Sequence, residues 1–115
     1  MLTLEKLREF GADTADGLGR CMNNEAFYLR MVNLALEDGV FERMRTAVEA
    51  DDVNGIFETA HAMKGMLGNL SLTPLAAAAS EMTELARKGS KADYPALWEK
   101  IRLAREKLLQ MRDEA

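Results

Sequence analysis

The chain has 115 residues, a length that suits one domain around one core. Hydrophobic residues make up 48% and charged residues 30%, a soluble globular profile, and no apolar run reaches the roughly 18 residues of a membrane span. The net charge of −4 comes without any basic block, so nucleic-acid binding, which normally needs a cationic patch, is set aside, although a local positive spot remains open at Lys64 beside His61.

The first residues, Met1 to Lys6, lack the basic-then-apolar layout of a secretory leader. Leu2 to Phe10 is short and helix-prone. Gly11 to Gly19 is glycine-rich and reads as a turn around one short helical piece, with Asp13 as its cap and Leu18 and Met22 as anchors. Cys21 is the only cysteine, so no internal disulfide can form; this suits a reducing cytoplasm and an inert thiol. Residues 1–22 are expected to cap one end of a bundle spanning 24–113, the whole of 1–115 forming a single domain.

Asn23-Asn24 caps the next helix. Phe27, Met31 and Leu34 mark one apolar line and Tyr28, Val32 and Ala35 a second, so burial on more than one side is expected. Asp38-Gly39 interrupts the pattern. Val40 or Phe41, Met44, Ala47 and Val48 then resume helical spacing, read as a kinked continuation. Asp51-Asp52 caps the following helix, where carboxylates suit the positive end of the dipole. Its core stripe is Val53, Ile56, Ala60, Met63, Leu67 and Leu70.

Ser71-Leu72 turns the chain, and Thr73-Pro74 restarts it with threonine as N-cap and proline at the first helical position. Leu75, Ala78, Met82 and Leu85 form the next core line, and the alanines from Ala76 to Ala79 permit close packing. Gly89-Ser90 ends that helix. Asp93-Tyr94-Pro95 opens the last, whose core line is Tyr94, Leu97, Ile101, Ala104, Leu108 and Met111, with Trp98 beside it. Arg112 to Ala115 should fray. No alternating β-type segment occurs. Short loops between amphipathic helices imply an all-α, up-and-down four-helix bundle with an additional short N-terminal helical segment.

The single histidine lies in Ala60-His61-Ala62-Met63-Lys64-Gly65-Met66-Leu67-Gly68-Asn69-Leu70. His61, Lys64, Gly65 and Gly68 stand at i, i+3, i+4 and i+7, which puts them on one face, apart from the core stripe. Each glycine costs a helix interior about 1 kcal/mol relative to alanine, and with Gly55 the segment bears roughly 3 kcal/mol of such cost. Either another helix of the chain packs close there, or something from outside approaches the backbone beside the imidazole. Counting back from the turn, His61 is level with Thr83, and Arg87 lies about one turn further along, level with Phe57; polar residues there either border the site or belong to a solvated helix face. Asn69 serves either an interface or the helix end. No second acid or base shares the face within one turn except Glu58, which points partly aside, so an independent catalytic pair is missing. One His, one Cys and scattered carboxylates give no metal-ligand cluster. No phosphate-cradling glycine loop is present.

The string AHAMKGMLGNLSL resembles the motif of histidine-containing phosphotransfer (Hpt) domains, in which AH-x-hydrophobic-KG is followed by small residues and an apolar residue. The resemblance spans roughly Asn24 to Arg87 and is sharpest from His61 to Leu70. One departure is Ser71, where the family often has glycine. The resemblance implies a helical bundle that carries a phosphoryl group on His61 and exchanges it with an aspartate of a response-regulator receiver domain. A hybrid sensor histidine kinase is a further expected partner. Lys64, Gly65, Gly68, Asn69 and Arg87 would border the phosphate or the partner. The domain would be a cytoplasmic monomer with no cofactor of its own and no ATP-dependent kinase activity, Mg²⁺ coming from the receiver. The dimerisation helix pair of a sensor kinase fits worse. That family has an acidic residue after its histidine and Thr or Asn four positions on, where this chain has Ala62 and Gly65.

The alternative is a non-catalytic helical adaptor, favoured by the eight methionines, since flexible Met suits adaptable surfaces. Met31, Met44, Met63, Met82 and Met111 fall on core lines, however, leaving Met66 as the exception. A degenerate phosphotransfer domain would have lost His61 or Lys64, and both are present. The methionine start and the full set of helices favour a free-standing protein over a piece of a hybrid kinase.

Overall fold

Five side-chain caps punctuate the backbone. Thr3, Asp13, Asn24, Asp52 and Asp93 each accept a hydrogen bond from the backbone N–H three residues on, satisfying a donor that a helix start leaves free. A computed structural model describes residues 1–114. It contains helices α1 (Leu4–Phe10), α2 (Thr14–Arg20), α3 (Glu25–Leu36), α4 (Val40–Glu49), α5 (Val53–Asn69), α6 (Thr73–Arg87) and α7 (Tyr94–Asp113). No strand occurs among the described residues. The histidine helix is α5.

Helices α4, α5, α6 and α7 close a four-helix ring: α5 packs on α4 and on α6, and α7 packs on α6 and on α4. The α5–α6 hairpin makes the most extensive contact. Ile56, Ala60, Met63 and Leu67 of α5 meet a core that includes Met44, Leu75, Ala79, Met82, Ile101 and Leu108, all buried. Thr83 is also fully buried, and its hydroxyl donates to Ala79 O at 2.7 Å, so the core stripe tolerates it.

The structure departs from the sequence reading in five places. The chain breaks between Leu36 and Val40 instead of bending through one helix. Asp38 Oδ1 accepts from the Val40 N–H at 2.8 Å, and the Arg105 guanidinium donates to Leu36 O at 2.9 and 2.7 Å, so both helix ends at the break are satisfied. Helix α3 is buried on one side only, through Tyr28, Val32, Ala35 and Leu36; Phe27 and Leu34 are 47% and 56% exposed because α3 lies outside the ring. Leu18 is half-buried against the core, but Met22 is 90% exposed. Met22 and Asn23 both adopt left-handed φ, and this turn directs Met22 outward.

Helix α6 starts at Thr73 with Leu72 as its N-cap, one residue earlier than read. Its buried stripe is Leu75, Ala79, Met82, Thr83 and Ala86, leaving Ala78 and Leu85 half-buried beside it. Finally, α7 stays helical through Asp113, where fraying was expected. Lys6 Nζ donates to Met111 O at 2.8 Å, and Arg112 Nη1 pairs with Glu37 at 2.6 Å, which holds the last turn. Ala115 lies outside the described residues.

Tyr28 ties α3 to the end of α5. It is fully buried, and its hydroxyl donates to Leu70 O at 2.8 Å. Burial pushes its phenol up to about 12. An unfolded tyrosine titrates near ~10, so the folded state holds its proton longer. Stability is therefore full below ~10 and falls as pH rises toward 12, by about 2–3 kcal/mol. Urea denaturation at pH 8 and 11 should show this loss in the wild type and a clearly shallower one in Tyr28→Phe. Equal alkaline losses in the two proteins would show that Tyr28 is not the group responsible.

Candidate functional site

The glycines of α5 separate into two kinds. A Cβ on Gly55 would stand 2.5 Å from Asp52 Oδ2, so Gly55 makes room for the helix's own N-cap. A Cβ on Gly65 or Gly68 would meet nothing within 4 Å. Among the described residues, no other helix packs against these two glycines. Of the two explanations for these glycines, approach from outside is the one the geometry leaves.

His61, Gly65 and Asn69 are exposed, and Lys64 and Gly68 are half-buried. These five residues line one open depression of about 300 Å³. Arg20, from α2, lines it too. The lining thus holds an imidazole, an ammonium and a guanidinium and no carboxylate, a set suited to an anion. Lys64 makes no ion pair among the described residues.

Arg87 sits elsewhere. Its guanidinium lies 5.6 Å from the centroid of the Phe57 ring and pairs with Glu84 at 3.6 Å. Phe57 in turn stacks beside the His61 ring, with centroids 6.0 Å apart and planes 16° from parallel. The hairpin register is as counted, but Arg87 and the histidine share only Phe57 as a neighbour, and Arg87 does not line the depression. Thr83, level with His61 by count, points into the core.

Arg20 went unread in the sequence because α2 reaches the site only through contacts far apart in the chain. The Asp13 N–H donates to Ser71 O at 3.0 Å, and Ser71 Oγ donates to Asp16 Oδ2 at 2.5 Å. Asp16 also holds Arg20 Nε at 2.9 Å. The Ser71 hydroxyl, then Arg20, keep the Asp16 carboxyl below the usual carboxylate range. Ser71 itself has φ of +54°, the left-handed conformation in which glycine is usual. The one departure from the motif is thus a serine in a glycine's conformation, whose hydroxyl fastens α2. The Asp16–Arg20 spacing of i, i+4 was the only local signal.

The Hpt domain family model matches residues 35–114, more than half of the chain. The chain belongs to the Hpt domain family. The match contains the whole ring α4–α7 and the depression's α5 residues, and leaves α1, α2 and nearly all of α3 outside it. No curated protein and no solved structure matches the chain. Membership places this Hpt domain in phosphotransfer within two-component signalling, among the phosphocarrier modules that meet response regulators and kinases. No helix of the domain is long and apolar enough to cross a membrane, and among the described residues no three His, Cys, Asp or Glu side chains gather into a metal site.

Since Gly65 and Gly68 face open space, alanine at either should stabilise the fold, by up to ~1 kcal/mol at Gly65 and less near the helix end. Thermal melts of Gly65→Ala and Gly68→Ala check this. A lower midpoint would mean that the chain itself needs the space.

Proposed function

We propose that this Hpt domain accepts a phosphoryl group on His61 and exchanges it with the aspartate of a response-regulator receiver domain. The observation that carries the reading is the open face: an exposed imidazole beside Lys64, with Gly65 and Gly68 leaving the approach clear. A neutral imidazole is nucleophilic without a separate base. Its ring nitrogen forms the N–P bond as the P–O bond to the receiver's aspartate breaks, and the electron pair leaves with the carboxylate. The transition state is loose, so alignment and neutralisation of the equatorial oxygens matter most. Lys64 supplies one positive charge, and the receiver brings the aspartate and Mg²⁺.

An apolar groove lined by Met31, Leu34, Met66 and Asn69 meets the depression at Asn69, which lines both. It offers the receiver a surface to rest on and gives Met66 its use. No carboxylate in the depression can activate water. A phosphoryl group on His61 should therefore be long-lived on the domain alone; the same reading makes the domain a carrier without kinase activity of its own and a monomer of the cytoplasm.

The direct test is phosphosite mapping by mass spectrometry, at neutral to alkaline pH, after mixing with Mg²⁺ and a receiver charged by a small acyl phosphate. Phosphate on His61, and none with ATP alone, is the expected result. Failure with several receivers would overturn the reading in favour of the adaptor. Gly68→Gln should fold normally and slow transfer about tenfold or more by standing in the partner's path. Unchanged transfer would refute the steric argument.

A further inference from the structure

The geometry points to Arg20 as a phosphoryl-binding residue of the same site, a second cation that grips the phosphate on His61 from a helix outside the segment the family model matches. The inference rests on the phosphotransfer reading. Arg20 lines the depression together with His61, Lys64, Gly65, Gly68 and Asn69. Only its Nε is engaged, by Asp16 at 2.9 Å, and its two terminal nitrogens have no protein partner among the described residues. Those nitrogens form the fork that suits two phosphoryl oxygens at once, a geometry an ammonium cannot offer.

The guanidinium is also delivered to the site by a fastened element. Asp16, which holds it, is itself held by Ser71 Oγ at 2.5 Å, two residues past the end of α5. The Asp13–Ser71 backbone bond and the Tyr28–Leu70 bond secure α2 and the start of α3 to the same turn. This chain of contacts gives α2 a task that its own seven residues would not otherwise explain. In the transfer, Arg20 neither gives nor takes a proton. It neutralises oxygens on phosphorus while the N–P bond to His61 forms and the P–O bond to the aspartate breaks.

The plain alternative is a surface ion pair of the i, i+4 kind, with Arg20 53% exposed, which contributes little to stability and nothing to transfer. Wild type, Arg20→Gln and Arg20→Lys separate the two. Each protein is phosphorylated with potassium phosphoramidate, and the phosphohistidine is titrated by ³¹P NMR. Transfer from a charged receiver is timed in parallel. Removing a phosphate-binding guanidinium should raise the apparent pKa of the phosphoryl group by about half a unit. It should also slow transfer about tenfold. Arg20→Lys should recover part of both. A merely structural Arg20 would move neither readout once the fold is intact. If Arg20→Gln melts early, Arg20→Lys decides, since it keeps the charge and loses the fork: wild-type values in that variant would refute the inference. If wild type acquires no phosphate from either donor, the phosphotransfer reading itself falls. If wild type is labelled and Arg20→Gln behaves identically, only the role of Arg20 falls.

Discussion

His61→Gln is expected to abolish phosphorylation completely while leaving the fold almost unchanged. The imidazole is exposed on α5 and stacks beside the Phe57 ring, with centroids 6.0 Å apart. Glutamine keeps a similar volume and is a better helix former than histidine. An exposed substitution away from caps and core moves stability by about 0.5 kcal/mol or less. That corresponds to a melting shift within about 3 °C for a domain of this size. An amide nitrogen, by contrast, is not a nucleophile toward phosphorus, so the loss of labelling should be total. Circular dichroism melts beside phosphosite mapping check both halves. A variant that unfolds would make His61 a structural residue. One that still binds an uncharged receiver, with no labelling, would separate docking from chemistry and fit the carrier reading.

Much of this was legible because it is local. Asp13, Asn24, Asp52 and Asp93 announce helix starts within one turn of themselves, and each caps the helix read from it. The spacing of Ile56, Ala60, Met63 and Leu67 set a stripe that is fully buried, which left His61 and its neighbours on another face. Counting through a short hairpin even put Arg87 at Phe57.

Periodicity misled where it met tertiary placement. Phe27, Met31 and Leu34 have perfect spacing for a buried line. A period shows that an apolar face exists, though, not that the same chain covers it, and Phe27 and Leu34 remain exposed. The three glycines of α5 look alike in sequence, but Gly55 clears its own cap whereas Gly65 and Gly68 face open space. Arg20 depends on bonds that link Asp16 to Ser71 and Tyr28 to Leu70, pairs separated by 55 and 42 positions. No local pattern encodes such contacts.

Gly17→Ala should destabilise the domain by about 2 kcal/mol, although alanine normally improves a helix. Gly17 is buried within α2, and a Cβ there would stand 2.6 Å from Cε1 and Cζ of the Tyr28 ring and 2.7 Å from its hydroxyl oxygen. The ring is fully buried and anchored by its bond to Leu70 O. It cannot swing aside without losing that bond or opening the core, so α2 must lift instead. Lifting strains both contacts that fasten α2 to Ser71, from the Asp13 N–H and the Asp16 carboxylate. Arg20 then leaves the depression, while the open face of α5 is untouched. The expected signature is a melting midpoint lower by about 8 °C. Well below that midpoint, phosphotransfer should be slowed about as much as in Arg20→Gln. A double-mutant cycle with Tyr28→Leu, which removes the opposing ring, should show coupling of at least ~1 kcal/mol. A Gly17→Ala protein that melts at or above the wild-type temperature would mean that the ring yields freely and that Tyr28 does not hold α2 in place. If it melts lower but transfers at the wild-type rate, α2 contributes stability alone and the site ends at α5.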